Sequence, residues 1–311
     1  MPFQTLLGLS RKSGLKHSEF LAIVSKISLN YRSFRIPKRS GGSRVISAPK
    51  PGLMAIQRVI ADEIRARSKI NSNVVGYVHG KSIKSHAGAH LTSTAFIKID
   101  VQDFFPSITE EKVYRALRGL GFSESILPTL VRISCLNGAL PQGSPASPPI
   151  SNIVLSDADT KLTAFAAAHK LTYTRYADDI VLSGHVDDYQ LADLAIDIVE
   201  QEGFRVNVFK SFFAHRPKKM ILTGLSIASG DLKVPRSFKR TVRQDAYRLA
   251  AQGTAVMFRD GKFDPFTFDR ILGKLTFWSW VEPQAKFPKR YIALFSERYS
   301  KGRSFPPVLP S

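Results

Sequence analysis

Cysteine occurs once in the 311 residues, at Cys135. A lone thiol excludes a disulfide framework and a thiolate zinc site. No apolar run approaches the roughly 20 residues that a membrane span needs. Residues 1–10 lack the charged start and long apolar stretch of an export signal. There is no lipidation signal and no clean basic amphipathic helix, so no membrane partner is expected and cytoplasmic residence is the default. Acidic residues are scarce, 25 Asp+Glu against 45 Lys+Arg, a net charge of +20 at pH 7. Apolar content is ordinary for a globular chain, and the length suits a sizeable core in about two domains.

The positive charge is unevenly spread. Residues 1–104 carry a net +12, residues 105–204 a net −6, and residues 205–311 a net +14. Two basic arms around an acidic middle fit a polyanion clamped about a cation site, because phosphate contacts release counterions and dominate affinity.

The acidic middle contains Leu171-Thr-Tyr-Thr-Arg-Tyr176, then Ala177-Asp178-Asp179, then Ile180-Val-Leu-Ser183. Two β-prone runs broken by three residues read as a hairpin whose tip carries both carboxylates. Clustered anions raise each other's pKa unless a cation neutralises them, and oxygen-only ligands suit a hard ion such as Mg²⁺. A second acidic site follows another short apolar strand, Phe96–Ile99: Asp100 and Asp103 stand where Pro106 forbids the strand to continue.

The remaining segments alternate helical and irregular. Residues 6–29 have apolar positions at helical spacing, and residues 53–66 place Ile56, Val59, Ile60 and Ile64 on one face. Between them, Gly41-Gly42 separates β-prone runs and makes a hairpin with Lys38, Arg39 and Arg44 at its tip, placed to grip a triphosphate. Gly80-Lys81-Ser82 ends like a P-loop, but the glycine required five positions earlier is Val75. His86 and His90 are four apart without the glutamate of a zinc-protease helix, which leaves packing or RNA contact. Residues 109–120, 123–137 and about 150–169 are expected helices, with a Pro/Ser-rich loop at 140–149 before the last. Residues 189–202 form an amphipathic helix stopped by Gly203, and residues 204–213 alternate like a strand. Beyond Pro235 come basic, aromatic helices at 236–252 and 269–280, where Lys239, Arg240 and Arg243 accompany Phe277, Trp278 and Trp280.

Four of these segments, in order over residues 96–210, resemble the palm motifs of reverse transcriptases. They are Asp100 with Asp103, Phe104 and Phe105; Pro141-Gln142-Gly143 with Ser147-Pro148; Tyr176-Ala177-Asp178-Asp179; and Gly203-Phe-Arg-Val-Asn207-Val-Phe-Lys210. The resemblance implies an α+β right-hand polymerase: N-terminal helix and fingers in residues 1–95, palm in 96–230 with a helical fingers insertion at about 109–140, and a basic helical thumb in 231–311. It makes Asp100, Asp178 and Asp179 the ligands of two Mg²⁺ ions. It places Lys38, Arg44, Asp103, Gln142, Gly143, Asn207 and Lys210 about the nucleotide. Phe105 would lie under the sugar and exclude a ribose 2′-OH, with Phe104 as the alternative one residue off. Phe209 departs from the pattern, in which a second lysine is commoner.

Two further marks resemble the bacterial retron subgroup. His86-Ala87-Gly88-Ala89-His90 has His where that group has Asn, and Leu222-Thr223-Gly224 has Leu where it has Val. That resemblance implies RNA contacts at His86, His90, Thr223 and Gly224, and a thumb gripping duplex through Lys239, Arg240, Arg243 and Trp278. It further implies a structured non-coding RNA as template and primer, 2′-OH priming, a branched RNA–DNA product, dNTP substrates, and an antiphage role with an effector protein. Abortive-infection and group II-like enzymes share much of the pattern. A non-catalytic RNA-binding protein on the same fold should have lost an aspartate or the Gln-Gly pair, and an RNA-templated RNA polymerase is disfavoured by Phe105.

Overall fold

The computed structural model describes residues 3, 5–37, 41–185, 188–215, 220–253, 258–259 and 262–300. In chain order, α1 (Leu6–Lys12) and α2 (His17–Ser25) precede the hairpin β1 (Tyr31–Pro37) and β2 (Ser43–Pro49), and α3 (Pro51–Arg67) and the short α4 (Ile83–Gly88) follow. Next come β3 (Ala95–Asp100), α5 (Glu110–Gly119), α6 (Leu127–Ser134), α7 (Ser147–Val154), α8 (Ser156–Ala168), β4 (Thr172–Tyr176), β5 (Asp179–Gly184), α9 (Gln190–Gln201) and β6 (Phe212–His215). The chain continues through β7 (Ile221–Leu222), β8 (Leu225–Ser226), α10 (Arg236–Gln252), the small hairpin β9 (Phe258–Arg259) and β10 (Lys262–Phe263), α11 (Thr267–Val281) and α12 (Lys286–Ser300). No described helix is long and apolar enough to cross a membrane.

Two compact units result, Met1–Ser82 with Ser93–Arg216, and Ile83–Thr92 with Pro217–Ser311. The first is built on a four-stranded antiparallel sheet of order β4-β5-β3-β6. Helices bury Leu53, Ile56, Ile60, Leu117, Leu130, Ile150 and Leu162 in one core with Ile99, Ile180 and Leu182 of the strands. Local chemistry sets the helix starts: Thr109 caps α5, its hydroxyl accepting from the Lys112 N–H, with Glu110 and Glu111 in the first turn where the helix dipole favours acids. The second unit packs α10, α11 and α12 around Val242, Leu249, Phe268, Leu275, Trp278 and Phe295.

Three expected elements come out differently. The helix expected over residues 6–29 is divided at Gly14, whose left-handed φ of 72° ends the first segment. The helix expected from about residue 150 begins at Ser147, since prolines at the first helical positions lose no hydrogen bond, and it breaks at Leu155 into α7 and α8. In residues 204–213 only the last two join a strand. Residues 207–211 instead coil into a turn, the Lys210 and Ser211 N–H groups donating to the Asn207 carbonyl at 3.1 and 2.9 Å.

Candidate active site

The two acidic sites meet on adjacent strands. β3 and β5 pair antiparallel with Asp100 opposite Asp179, and directly opposed residues of one face have neighbouring side chains. The β4–β5 turn consists of Ala177 and Asp178, closed by Tyr176 opposite Asp179, so Asp178 occupies the tip and Asp179 opens the strand. The Asp178 carbonyl accepts from the Val101 N–H at 3.4 Å, which ties the tip to the end of β3. Ala177 holds φ at 59°, a conformation costing a residue with a Cβ roughly 1–2 kcal/mol. Such strain persists where the surroundings over-determine it.

Asp100 is only 7 % exposed, and its backbone N–H donates to Ser211 Oγ at 3.0 Å. Lys210 Nζ reaches both its carboxylate oxygens, at 3.1 and 3.4 Å, while Lys98 Nζ lies 2.9 Å from Asp179 Oδ1. Burial, then the charge of Asp179 and more weakly that of Asp100, push the Asp178 carboxyl up to about 6. Among the described residues no three acidic, histidine or cysteine side chains stand arranged to hold a metal ion; two of the three carboxylates are engaged by lysines. The donor set itself is hard oxygen, and a carboxyl destabilised by its acidic neighbours calls for added positive charge. That chemistry fits a divalent ion such as Mg²⁺.

Phe104 is 6 % exposed and belongs to the core, whereas Phe105 is half-buried and Asp103 exposed with φ 45°. The alternative register through Phe104 is therefore withdrawn, because its ring is spent on packing. The Gln142 carbonyl accepts from the Ser47 N–H at 2.8 Å, which binds the Pro-Gln-Gly loop to β2. Arg44 is exposed on that hairpin; Lys38 lies outside the described residues. Gly143 holds φ 128°, and a Cβ there would come 2.6 Å from the Ser47 carbonyl oxygen. Gly143→Ala is expected to cost about 1–3 kcal/mol through strain and overpacking, measured as a lowered urea midpoint with unchanged slope.

Sequence reasoning passed over the support beneath the turn. Arg175 and Asp159 form a buried bidentate pair, Nε to Oδ1 at 2.6 Å and Nη2 to Oδ2 at 2.7 Å. The Tyr173 hydroxyl donates to Asp159 Oδ1 at 2.6 Å, and Arg175 Nη1 donates to Asn152 Oδ1 at 3.2 Å and to the Ala177 carbonyl at 3.1 Å. A charged residue inside an apolar strand just before the turn was the available signal. Nothing in its spacing named Asp159 as partner.

In the second unit, Thr223 and Gly224 make the two-residue turn of the β7–β8 hairpin, with φ of 45° and 84°, and the buried Thr223 Oγ1 has no hydrogen-bond partner among the described residues. A β-branched residue with left-handed backbone is an outlier. His86 and His90 are both fully buried; burial and then the neighbouring His86 hold the His90 imidazole down at about 3. Trp278 is 2 % exposed and stacks on Phe287 at 5.4 Å. These three are interior residues, against their expected exposure to RNA. Arg240 and Arg243 are exposed, while Lys239 is paired with Glu282 at 2.7 Å. A hollow of about 660 Å³ at the start of α10 is lined by Ser226, Lys233, Arg236, Ser237 and Lys239.

The family model described as reverse transcriptase (RNA-dependent DNA polymerase) matches residues 36–227. The Retron Mx162 reverse transcriptase of Myxococcus xanthus is 34 % identical over 249 residues, 69 % of this chain and 51 % of that protein. The Retron Ec73 reverse transcriptase of Escherichia coli is 30 % identical over 234 residues, 68 % of this chain and 73 % of it. The Retron Ec86 enzyme of the same organism is 28 % identical over 231 residues, covering 73 % and 72 %. The chain thus spans about half the length of the Myxococcus relatives it matches. Among solved structures, apo telomerase from Candida tropicalis shares the fold with a TM-score of 0.52 at 13 % identity, covering 88 % of this chain and 58 % of that one. With its matched region spanning the carboxylate strands, the turn and the Gln-Gly loop, the chain belongs to the reverse transcriptase family, and its relatives there are retron reverse transcriptases.

Proposed function

We propose that the chain is an RNA-directed DNA polymerase of the retron type, joining a primer hydroxyl to dNTPs along an RNA template. The observation that carries this reading is the in-register pairing of Asp100 with Asp179 beside the turn residue Asp178. Asp100, Asp178 and Asp179 are the residues that would hold Mg²⁺. Two such ions, when bound, lower the pKa of the attacking hydroxyl and neutralise the leaving pyrophosphate. The protein's own share is positioning and charge. Lys210, on a turn hydrogen-bonded to the Asp100 strand, supplies an ammonium to neutralise the triphosphate, and Lys38 and Arg44 take the same role from the fingers. Gln142 and Gly143 align template and incoming base, and Phe105 sets sugar choice. The fingers, palm and thumb division at 1–95, 96–230 and 231–311 belongs to the same reading.

The net +14 of residues 205–311 supports a nucleic-acid-gripping arm. A structured non-coding RNA primed from a 2′-OH, a branched RNA–DNA product and an antiphage role with an effector protein extend the reading by kinship with the relatives. The test is primer extension on a primed RNA template with Mg²⁺ and labelled dNTPs or NTPs. Incorporation of dNTPs lost in Asp178→Ala is the expected result, and synthesis surviving that substitution would sink the metal assignment. Arg240→Gln is expected to weaken RNA binding evenly across sequences, reducing the salt slope by about 1, as read by filter binding from 50 to 300 mM salt.

A further inference from the structure

The segment leading to Tyr77 lies under the catalytic turn, and the function above leaves it unused. The Val75 and Gly76 N–H groups donate to the Arg175 carbonyl at 2.9 and 3.3 Å, and Asn152 Nδ2 donates to the Gly76 carbonyl at 3.0 Å. Approach to the turn is close: a Cβ on Gly76 would stand 2.4 Å from the Ala177 nitrogen. Held this way, Tyr77 has φ 61°, a left-handed backbone that is strained for an aromatic residue. The residue is 40 % exposed, and its ring lies 6.4 Å from Phe105 and 6.3 Å from Tyr176, centroid to centroid. Both spacings fall in the range of attractive tilted aromatic pairs.

Phe105 needs such support. Among the described residues its ring contacts are with Phe104, its own chain neighbour, and with Tyr77. A half-buried ring can exclude a hydroxyl only if it cannot swing aside, since steric discrimination is limited by what the wall costs to move. One side of Phe105 packs against the core; Tyr77 supplies the aromatic contact from outside the Phe105 segment, and it is anchored through the backbone bonds that also hold the strand of Arg175.

We infer that Tyr77 is a positioning residue for sugar selection, bracing the Phe105 ring so that the pocket rejects a ribose 2′-OH. The inference rests on the polymerase reading and on Phe105 as the sugar gate.

The test compares single-nucleotide addition of dGTP and GTP by the full chain on a primed RNA template, as the ratio of their kcat/KM values. Tyr77→Asn removes the ring and suits the left-handed backbone; it is expected to lower the dGTP/GTP ratio about tenfold, the worth of one aromatic contact. Tyr77→Phe should keep the ratio within about twofold of the parent. Tyr77→His, with a smaller ring at the same backbone angle, should fall between and serves if the Asn variant melts early. Phe105→Ala should admit GTP most freely. If Tyr77→Asn and Tyr77→His slow both nucleotides equally and leave the ratio intact while Phe105→Ala collapses it, Tyr77 is only structural and the inference falls. A ratio unchanged in Phe105→Ala would place the gate elsewhere and overturn both. Loss of all dGTP addition in Tyr77→Phe would also overturn it, since the hydroxyl would then matter.

Discussion

Asp178→Asn is expected to lower primer extension by about 10³-fold or more while making the metal-free protein more stable at neutral pH. The two effects have one cause. The Asp178 carboxyl is pushed up to about 6 by burial and by Asp179 and Asp100, so at pH 7.5 the fold carries an ion it would rather protonate. The native state binds that proton more tightly than the unfolded chain, whose carboxyl titrates near 3.8. Stability from this group is therefore complete below about pH 3.8 and is lost as pH rises through about 6. A shift of this size corresponds to about 1–3 kcal/mol. The amide keeps the shape, removes the charge and does not titrate. In EDTA, the Asn variant should melt a few degrees higher than the parent at pH 7.5, with the gap closing toward pH 4. Added Mg²⁺ should raise the parent's Tm through ligand binding to the native state and leave the variant unmoved. A variant no more stable than the parent at pH 7.5 would show that the three carboxylates do not repel as their placement implies.

Arg175→Met is expected to destabilise the first unit by about 3–5 kcal/mol, because it strands the Asp159 carboxylate in the core. Arg175 is fully buried and Asp159 is 1 % exposed. Burial alone would lower the guanidinium's pKa, but Asp159 beside it more than offsets this and raises it. Asp159→Leu should cost a similar amount by leaving the guanidinium unpaired. Replacing both together should recover most of the loss, since an apolar pair of similar volume is often as stable as a buried ion pair. A double-mutant cycle from urea titrations measures this coupling. The doubly substituted protein should nevertheless polymerise slowly. Arg175 Nη1 also donates to the carbonyl of Ala177, and without that bond the left-handed turn loses a constraint beside Asp178. A stable double variant with full activity would show that the turn holds its shape unaided.

The candidate site was legible in the chain to the extent that it is written in local chemistry. Asp100 ends an apolar strand before a proline, and Asp178 and Asp179 interrupt two β-prone runs; both patterns follow from side-chain alternation and turn preference. Hidden were the contacts that join distant segments. Ser47 with Gln142, Arg175 with Asp159, and Tyr77 with Phe105 are separated by 95, 16 and 28 positions, and no spacing rule links them. The same limit applies to the rings and imidazoles: composition leaves packing and RNA contact both open for Trp278, His86 and His90, and only the tertiary structure shows that they are buried. The turn at Asn207–Ser211 was read as a strand because alternation continues through it, and the hydrogen bonds to the Asp100 strand override that pattern.

The amino-acid order by itself determined the uneven spread of charge, most of the helices and strands, and the three aspartates with their hard-ion chemistry. These depend on nearest neighbours and on charge, which one dimension records. Tertiary structure decided that Asp100 stands opposite Asp179, that lysines 98 and 210 hold their carboxylates, and that Phe105 rather than Phe104 faces outward. Those outcomes depend on strand register and on which side chains the core can absorb, and both are set only when remote segments pack against one another.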